Sequence, residues 1–576
     1  MDRVQNITDL RLSEGAKDRA LPDGQSWARR HAVALMVGVV VFSTICRVRQ
    51  YLADTSFWAD EASLVINIRM KTARQLLGPL QFDQAAPPLF LLIERGIVGA
   101  LGESELAMRA FPFVGGLIAL GLFVFLSRRL LEPPWDALAV LLFGISEMLI
   151  WHSTEVKPYG TDAAVATLLL AIGLPARGSK VSVARFLIVC LTAAVGVAVS
   201  YPAIFVFLAI SAAILPGLLR DSAPVTKSAG ASSPSPATAG EGWSGSSFHE
   251  ATGMTLTLPS PGVPGEGKPR RNLLIFLVGN GLVGAVFLIL LRTIVRAQQN
   301  AALDAYWQEA FLDLRHPLQW PIWLLHQLVS MSNYAVRGAG PVVLAGVLVC
   351  CFALIHAKRF AQLTMLAGPI VLTILAAAAH RYPFDGARLT TFLVPGTILL
   401  SVIGLAFFWQ IAHRAIGVFA AVPATFVIGI ALYSASLHLV VPQTRAHLRP
   451  ISQYVRMHIQ PNDGIYALQG REWNCYWPID DARVHDEIPR ADHIPFKRFW
   501  IVWSFPNPQA VKRIDPLLKW TEQFCNRLDT TIDRRGGAAF LFERRDDALP
   551  DPLEPPSIAT HHRVMHEHRA EEPAGD

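Results

Sequence analysis

The 576-residue chain is 52% hydrophobic and only 17% charged, with 14 Trp, 30 Phe and a mean hydropathy of +0.35. A soluble protein carries about 25% charged residues, so the composition excludes an ordinary soluble enzyme and indicates an α-helical polytopic membrane protein. The formal charge of +6 is no nucleic-acid footprint, because cytoplasmic loops of membrane proteins are enriched in Lys and Arg; no nucleic-acid partner is expected.

Residues 1–31 are polar, end in Arg29-Arg30 and are followed by an apolar run without a small-residue cleavage site. A retained first membrane helix and a cytoplasmic N-terminus are expected. A helix needs about 20 apolar residues to cross a bilayer. Runs near that length fall at 32–52, 110–126, 137–150, 161–174, 183–200, 201–219, 273–294, 341–355, 363–379, 391–409 and 415–440. Residues 85–101 are also apolar but carry Glu94 and Arg95 near the middle. Were that run to cross, "SRRLLEPPWD", "PARGSK", the segment 220–271, "HAKRF" and "AHR" would all turn outward, against the positive-inside rule. Each central charge would also cost roughly 2.5–3.5 kcal/mol. An interfacial or re-entrant helix on the outer side is expected there, which leaves about 11 crossings.

Segment 220–271 is rich in Ser, Gly, Pro, Ala and Thr and is expected to be a disordered cytoplasmic linker. The second membrane region, 272–440, is expected to carry a lid-like outer loop at 298–340 and another outer loop at 380–390. Residues 441–545 alternate "RPISQYVRMHIQ" with strand-like "GIYAL", "RFWIVWSF" and "AAFLFER", the pattern of a small extracytoplasmic α/β domain. The tail 546–576 is Pro-rich and charged. Its His561, His562, His566 and His568 are read as part of a disordered segment, not a metal site. Of six cysteines, Cys46, Cys190, Cys350 and Cys351 lie in apolar runs. Cys475 and Cys525 lie in the outer domain, where disulfides persist, and a bond between them is left open.

On this topology the unusual polar groups collect on the outer side. The catalytic region 32–219 contributes Asp60 and Glu61 from "SFWADEASL", Glu155, Lys157, Tyr159 and Asp162 from "WHSTEVKPYGTD", and Tyr201 from "SYP". The loop "HRYPFDGAR" adds Arg381, Tyr382, Asp385 and Arg388. Acids and bases from separate loops can converge at the membrane surface, where an anionic head group and an apolar tail would both be accommodated. Lys157 and Arg388, with Arg381, suit a phosphate, and Asp60 is placed to take a proton from an attacking hydroxyl or to orient it. Arg47, Arg49, Arg69, Lys71 and Arg74 are read as solvated or snorkelling charges, and Trp58 and Trp151 as interfacial belt residues.

The order of "FWADEA", "FDQAAPPLFLLIERGIVGALGESELAMRAFP", "WHSTEVKPYGTD", "SYPAIF" and "RYPFDGARLTTFLVPG", followed by "RPISQYVRMHIQPNDGIYAL", resembles the GT-C superfamily of membrane glycosyltransferases. Within it the chain is most similar to the group of protein O-mannosyltransferases and the lipid A aminoarabinose transferase. The resemblance covers residues 32–545 apart from the linker. It implies an enzyme of the cell (inner) membrane that moves a sugar from a polyprenyl phosphate to an unidentified extracytoplasmic lipid, glycan or protein, with Asp60 and Glu61 at the catalytic centre. The second-loop motif in relatives often reads Glu-x-Arg-x-Tyr. Here it reads Glu155, Lys157 and Tyr159, so a point charge replaces a bidentate one. Some relatives use a divalent cation, for which Asp60, Glu61 and Glu155 are the candidate ligands. The rival readings are a transporter or flippase for lipid-linked sugars and a non-catalytic scaffold presenting the outer domain.

Overall fold

The computed structural model describes residues 23–174, 182–220, 267–299, 301–468, 470–505, 512–546, 549–550 and 552–556. Most of the N-terminal segment, the "PARGSK" loop, nearly all of the linker and the tail histidines lie outside the described residues. The described chain is a large helical region followed by a small mixed α/β domain.

Five helical stretches are long and apolar enough to cross a membrane: His31–Tyr51, Ala110–Leu130, Arg270–Gln298, Phe360–Ala378 and Arg388–Val440. The last holds two helices, Val394–Ile416 and Val422–Val440, joined by the tight turn Gly417–Ala421. Trp135–Gly144, Tyr159–Gly173, Val183–Val199 and Ala203–Leu219 are apolar but shorter. Helix Pro88–Leu101, which carries Glu94, has 14 residues, fewer than the about 20 a crossing needs. Segment 298–340 differs from its expected form as a lid-like loop. It contains the helix Trp320–Ala335, and Pro317–Ala335 and Gly340–His356 meet at a bend of 105°. His326, Gln327 and Asn333 interrupt its apolar run, which hides it from a search for long spans, yet Ile322 and Leu325 are exposed as on a lipid-facing helix.

Small residues set the closest helix contacts. A Cβ on Gly404 would lie 2.7 Å from the Gly346 carbonyl carbon, so Gly340–His356 and Val394–Ile416 pack backbone to backbone, as membrane helices do where small residues meet. Arg47 is not a snorkelling charge. It is 1% exposed and donates to the carbonyls of Phe143 (3.2 Å) and Gly144, satisfying the C-terminal carbonyls of helix Trp135–Gly144.

The small domain is a five-stranded sheet of β1 (Gly464–Ala467), β2 (Val484–His485), β3 (Arg498–Ser504), β4 (Cys525–Asp533) and β5 (Gly537–Arg544), in the order β2-β1-β3-β5-β4. β1 runs parallel to β2 and β3, while β5 is antiparallel to β3 and β4. The β3 sequence RFWIVWS is almost wholly buried, as expected of a central strand covered on both faces. Its side chains alternate between two cores. Phe499, Ile501 and Trp503 join Leu517, Trp520 and Phe542, while Trp500 and Val502 join Ile451, Val455 and Trp473. Cys525 belongs to the first core, and Cys475 packs against a different cluster around Phe57 and Phe90. Both thiols are free, so the disulfide left open by the sequence is absent: the sheet separates the two positions.

Candidate active site

The helix Ala59–Met70 starts just beyond Trp58, whose backbone is extended. Asp60 and Glu61 occupy its first turn, where negative charge complements the helix dipole. Every residue from Glu61 to Ile68 is buried. Helix Pro88–Leu101 and the small domain enclose this element, and both neighbours hold it in place.

Asp60 keeps 12% of its side chain accessible and sits between two cations from distant loops. Lys157 Nζ lies 3.1 Å from Oδ1, and Arg388 donates to Oδ2 at 2.7 Å. Burial alone would raise the Asp60 pKa, but Arg388 and Lys157 outweigh it and hold the carboxyl well below the usual range. Lys157 also donates to Gln84 Oε1 at 2.5 Å. The turn presenting Gln84 contains Phe82 and Asp83 at φ values of 63° and 53°, a strained region for non-glycine residues that clusters at functional sites. On the opposite side, the Tyr306 and Trp307 rings lie 5.6 and 5.5 Å from the Arg388 guanidinium, within cation–π range.

Glu155 is tied to the same cluster by a chain of hydrogen bonds. It accepts from Trp151 Nε1 and faces His152 Nδ1 at 3.0 Å. His152 Nε2 meets the Tyr334 hydroxyl at 2.5 Å, which meets Thr391 Oγ1 at 2.9 Å, which donates to the Arg388 carbonyl at 2.6 Å. Burial raises the Glu155 pKa, but His152 and Arg445 together outweigh it and leave it lowered.

Glu61 points elsewhere. Its carboxylate accepts two bonds from Arg109 (2.9 and 2.7 Å) and one from the Val156 backbone at 2.9 Å. The two side chains are 1% and 4% exposed. Burial works against the Arg109 cation, but Glu61 outweighs that and raises its pKa. Glu61 is sealed from substrate, so the expected pair of catalytic acids separates into one accessible and one enclosed carboxylate.

Other expected residues scatter. Arg381 is exposed and lies outside the buried cluster. Tyr201 donates to the Ala86 carbonyl at 3.1 Å and Tyr382 to the Leu389 carbonyl at 2.8 Å, so both brace loops. Tyr159 packs edge-on against His152 at 5.1 Å, and Asp162 is buried in helix Tyr159–Gly173. The divalent-cation site is not formed. Asp60, Glu61 and Glu155 are each engaged by different basic or indole partners, and no group of three metal-binding side chains occurs among the described residues. The sequence placed Tyr306 and Trp307 in the outer loop 298–340 without a role, and singled out none of Gln84, Arg109, His152 and Tyr334. His152 lies in the second outer-loop motif and Gln84 and Arg109 in the quoted stretch 82–112, so three of these four sat in motifs whose individual residues the sequence did not assign. Trp151 is a hydrogen-bond donor to Glu155 and not a plain belt residue.

No protein-family model matches the chain, and no curated protein matches it. Among solved structures it is similar to the Archaeoglobus fulgidus oligosaccharyltransferase in complex with Zn and sulfate, at 11% identity and a TM-score of 0.45, over 91% of this chain and 75% of that one. It is also similar to ArnT from Cupriavidus metallidurans bound to undecaprenyl phosphate, at 13% identity and a TM-score of 0.42, over 88% and 97% of the two chains. A third similar structure is arabinosyltransferase EmbB from Mycobacterium smegmatis, at 14% identity and a TM-score of 0.35, over 76% and 40%. At TM-scores of 0.45 or less, these likenesses carry no argument about chemistry, which rests on the chain's own residues.

Proposed function

We propose that this chain is an integral, multi-pass glycosyltransferase of the cell membrane that moves a hexose or pentose from a polyprenyl phosphate to an extracytoplasmic lipid, glycan or protein acceptor. The observation that carries this reading is the accessible Asp60 held between Lys157 and Arg388 at the ends of apolar helices. Two cations face one carboxylate there, and the surplus positive charge suits a phosphate whose lipid tail stays in the bilayer. The N-terminus lies in the cytoplasm and the small domain outside.

The reaction is a single displacement. The acceptor oxygen forms a bond to the anomeric carbon as the bond from that carbon to the phosphate oxygen breaks, and the configuration inverts. The electron pair leaves on the phosphate, where Lys157 and Arg388 stabilise the growing negative charge. The acceptor's proton passes to Asp60. A carboxylate held at low pKa is a weak base, and the donor itself corrects this. Its phosphate competes for Lys157 and Arg388, relieves their pull on Asp60 and lets the carboxyl rise toward its ordinary range. Base strength is thereby coupled to donor binding. Tyr306 and Trp307 cover Arg388 and limit the access of water to it.

The test uses purified full-length protein in lipid vesicles, a panel of labelled polyprenyl-phosphate hexoses and pentoses, and envelope extract as acceptor. The expected result is release of free polyprenyl phosphate with label appearing on an acceptor. Movement of intact sugar-lipid between leaflets without cleavage would overturn the transferase reading in favour of a flippase.

A further inference from the structure

Arg445 lies in the five-residue stretch between the helix ending at Val440 and Ala446, which packs against Trp58 and Trp151. Its guanidinium carbon is 4.4 Å from the Trp58 ring centre and 4.8 Å from that of Trp151. Among the described residues the two indoles make no ring contact with each other, so they flank the guanidinium instead of stacking together. Both are 5% exposed. Two indole faces at this range attract the guanidinium without using its N–H donors, which stay available to an anion.

No hydrogen bond or ion pair uses those donors among the described residues. Trp58 Nε1, on one of the two clamping rings, is buried without a hydrogen-bond partner. Arg445 itself is half-buried, so its donors can reach a ligand, while the unpaired buried indole N–H of Trp58 is costly without an acceptor. The location is the reaction site. Trp58 precedes Asp60 by two residues, Trp151 donates to Glu155, and the charge of Arg445 acts on both carboxylates. Since Glu61 is neutralised by Arg109, Lys157, Arg388 and Arg445 face Asp60 and Glu155 with one positive charge to spare.

We propose that Arg445 is a third phosphate-recognition residue, donating from its indole-clamped edge to the phosphate of a polyprenyl phosphate, so that the segment leading into the small domain completes the site. This rests on the donor class proposed above.

The experiment measures binding of undecaprenyl phosphate, and of the uncharged alcohol undecaprenol, to the full-length protein in lipid nanodiscs. Wild type is expected to prefer the phosphate. Arg445→Ala should weaken phosphate binding roughly ten- to a hundredfold, as loss of a charged hydrogen bond does, and leave undecaprenol binding unchanged. Arg445→Lys should recover only part, because it keeps the charge and loses the planar fork. Phosphate binding by Arg445→Ala at the wild-type level, or equal loss of both lipids, would overturn the assignment. Inorganic phosphate competing as well as the lipid would overturn it in favour of a free-anion site. A wild type that does not distinguish phosphate from alcohol would instead remove the donor reading itself.

Discussion

Asp60 and Glu61 share one helical turn, yet the two sides of that turn are built differently. Toward Lys157 and Arg388 the carboxylate is 12% accessible and its partners come from two loops distant in the chain. Toward Arg109 the carboxylate is 1% exposed and fully bonded, and the network continues into the small domain. Arg109 also donates to the Thr55 carbonyl at 2.7 Å. Close by, Arg449 bonds Glu105 at 2.9 Å and Asp54 at 2.8 Å, and Tyr476 donates to Glu105 at 2.8 Å. A buried pair with every bond satisfied contributes little net energy but is expensive to break. The sealed side therefore fixes the geometry, and the open side is left to exchange partners with a substrate.

The largest effects should separate these two sides. Asp60→Asn keeps the size of the side chain and removes the proton acceptor, so turnover should fall roughly 10²–10⁴-fold in protein with an unchanged detergent elution profile. Arg109→Leu should do the reverse, costing about 3–5 kcal/mol of stability through the buried charge it strands on Glu61. Thermal unfolding of the purified variant measures this, and an Arg109→Leu protein as stable as wild type would break the comparison. Next in size, Lys157→Ala should weaken polyprenyl-phosphate binding roughly tenfold or more, in line with loss of one charged hydrogen bond; unaltered binding would take Lys157 out of the phosphate cradle.

A smaller effect sharpens the sealed side. Glu472 of the small domain is 1% exposed, and its short helix packs on Ala59–Met70. Burial pushes its pKa up to about 8, with Ser504 and the Ala59 backbone pulling it down by less. The folded-state pKa lies above the unfolded one, so the folded protein holds the proton more tightly. The stability this gives is greatest below about 4.5 and is lost as pH rises from there to about 8. Glu472→Gln should flatten that slope, seen as a rise in thermal midpoint at pH 8 with little change at pH 5. A slope that survives the substitution would assign the dependence to another group. The smallest effect belongs to the exposed Arg381. Its replacement by Ala should change stability by no more than about 0.5 kcal/mol and leave phosphate binding intact; weakened binding would return it to the site.

Asp60, Lys157 and Arg388 were legible because charges in loops between apolar runs stand out, and because counting Lys and Arg along those loops assigns them all to one side. The role of Glu61 was not legible. Arg109 adjoins the helix Ala110–Leu130 and looks like any flanking charge, and nothing local reveals a partner 48 residues away. The helix Trp320–Ala335 was hidden by the polar residues that break its apolar run, of which Gln327 is buried and His326 exposed. Arg445 and the two tryptophans were hidden for a related reason. An arginine after a last span and indoles at span ends are common anchors, and only three-dimensional packing shows them clamped together. The two cores of the small domain were announced by the alternation in RFWIVWS, whereas the separation of Cys475 from Cys525 depended on which side of the sheet each fell.

The spacing of the two acids' partners along the chain also sets an order of assembly during synthesis. Arg109 is 48 residues from Glu61, and Arg388 is 328 residues from Asp60. At roughly 5–20 residues per second of elongation, Glu61 waits about 2–10 s for its cation, and Asp60 waits about 15–65 s for Arg388. The acid that cannot tolerate isolation in an apolar interior is thus neutralised almost as soon as it is made. The more accessible acid can bear the delay. A chain that has reached Arg109 but not Arg388 can therefore close the Glu61 pair while the Asp60 pair still lacks its arginine.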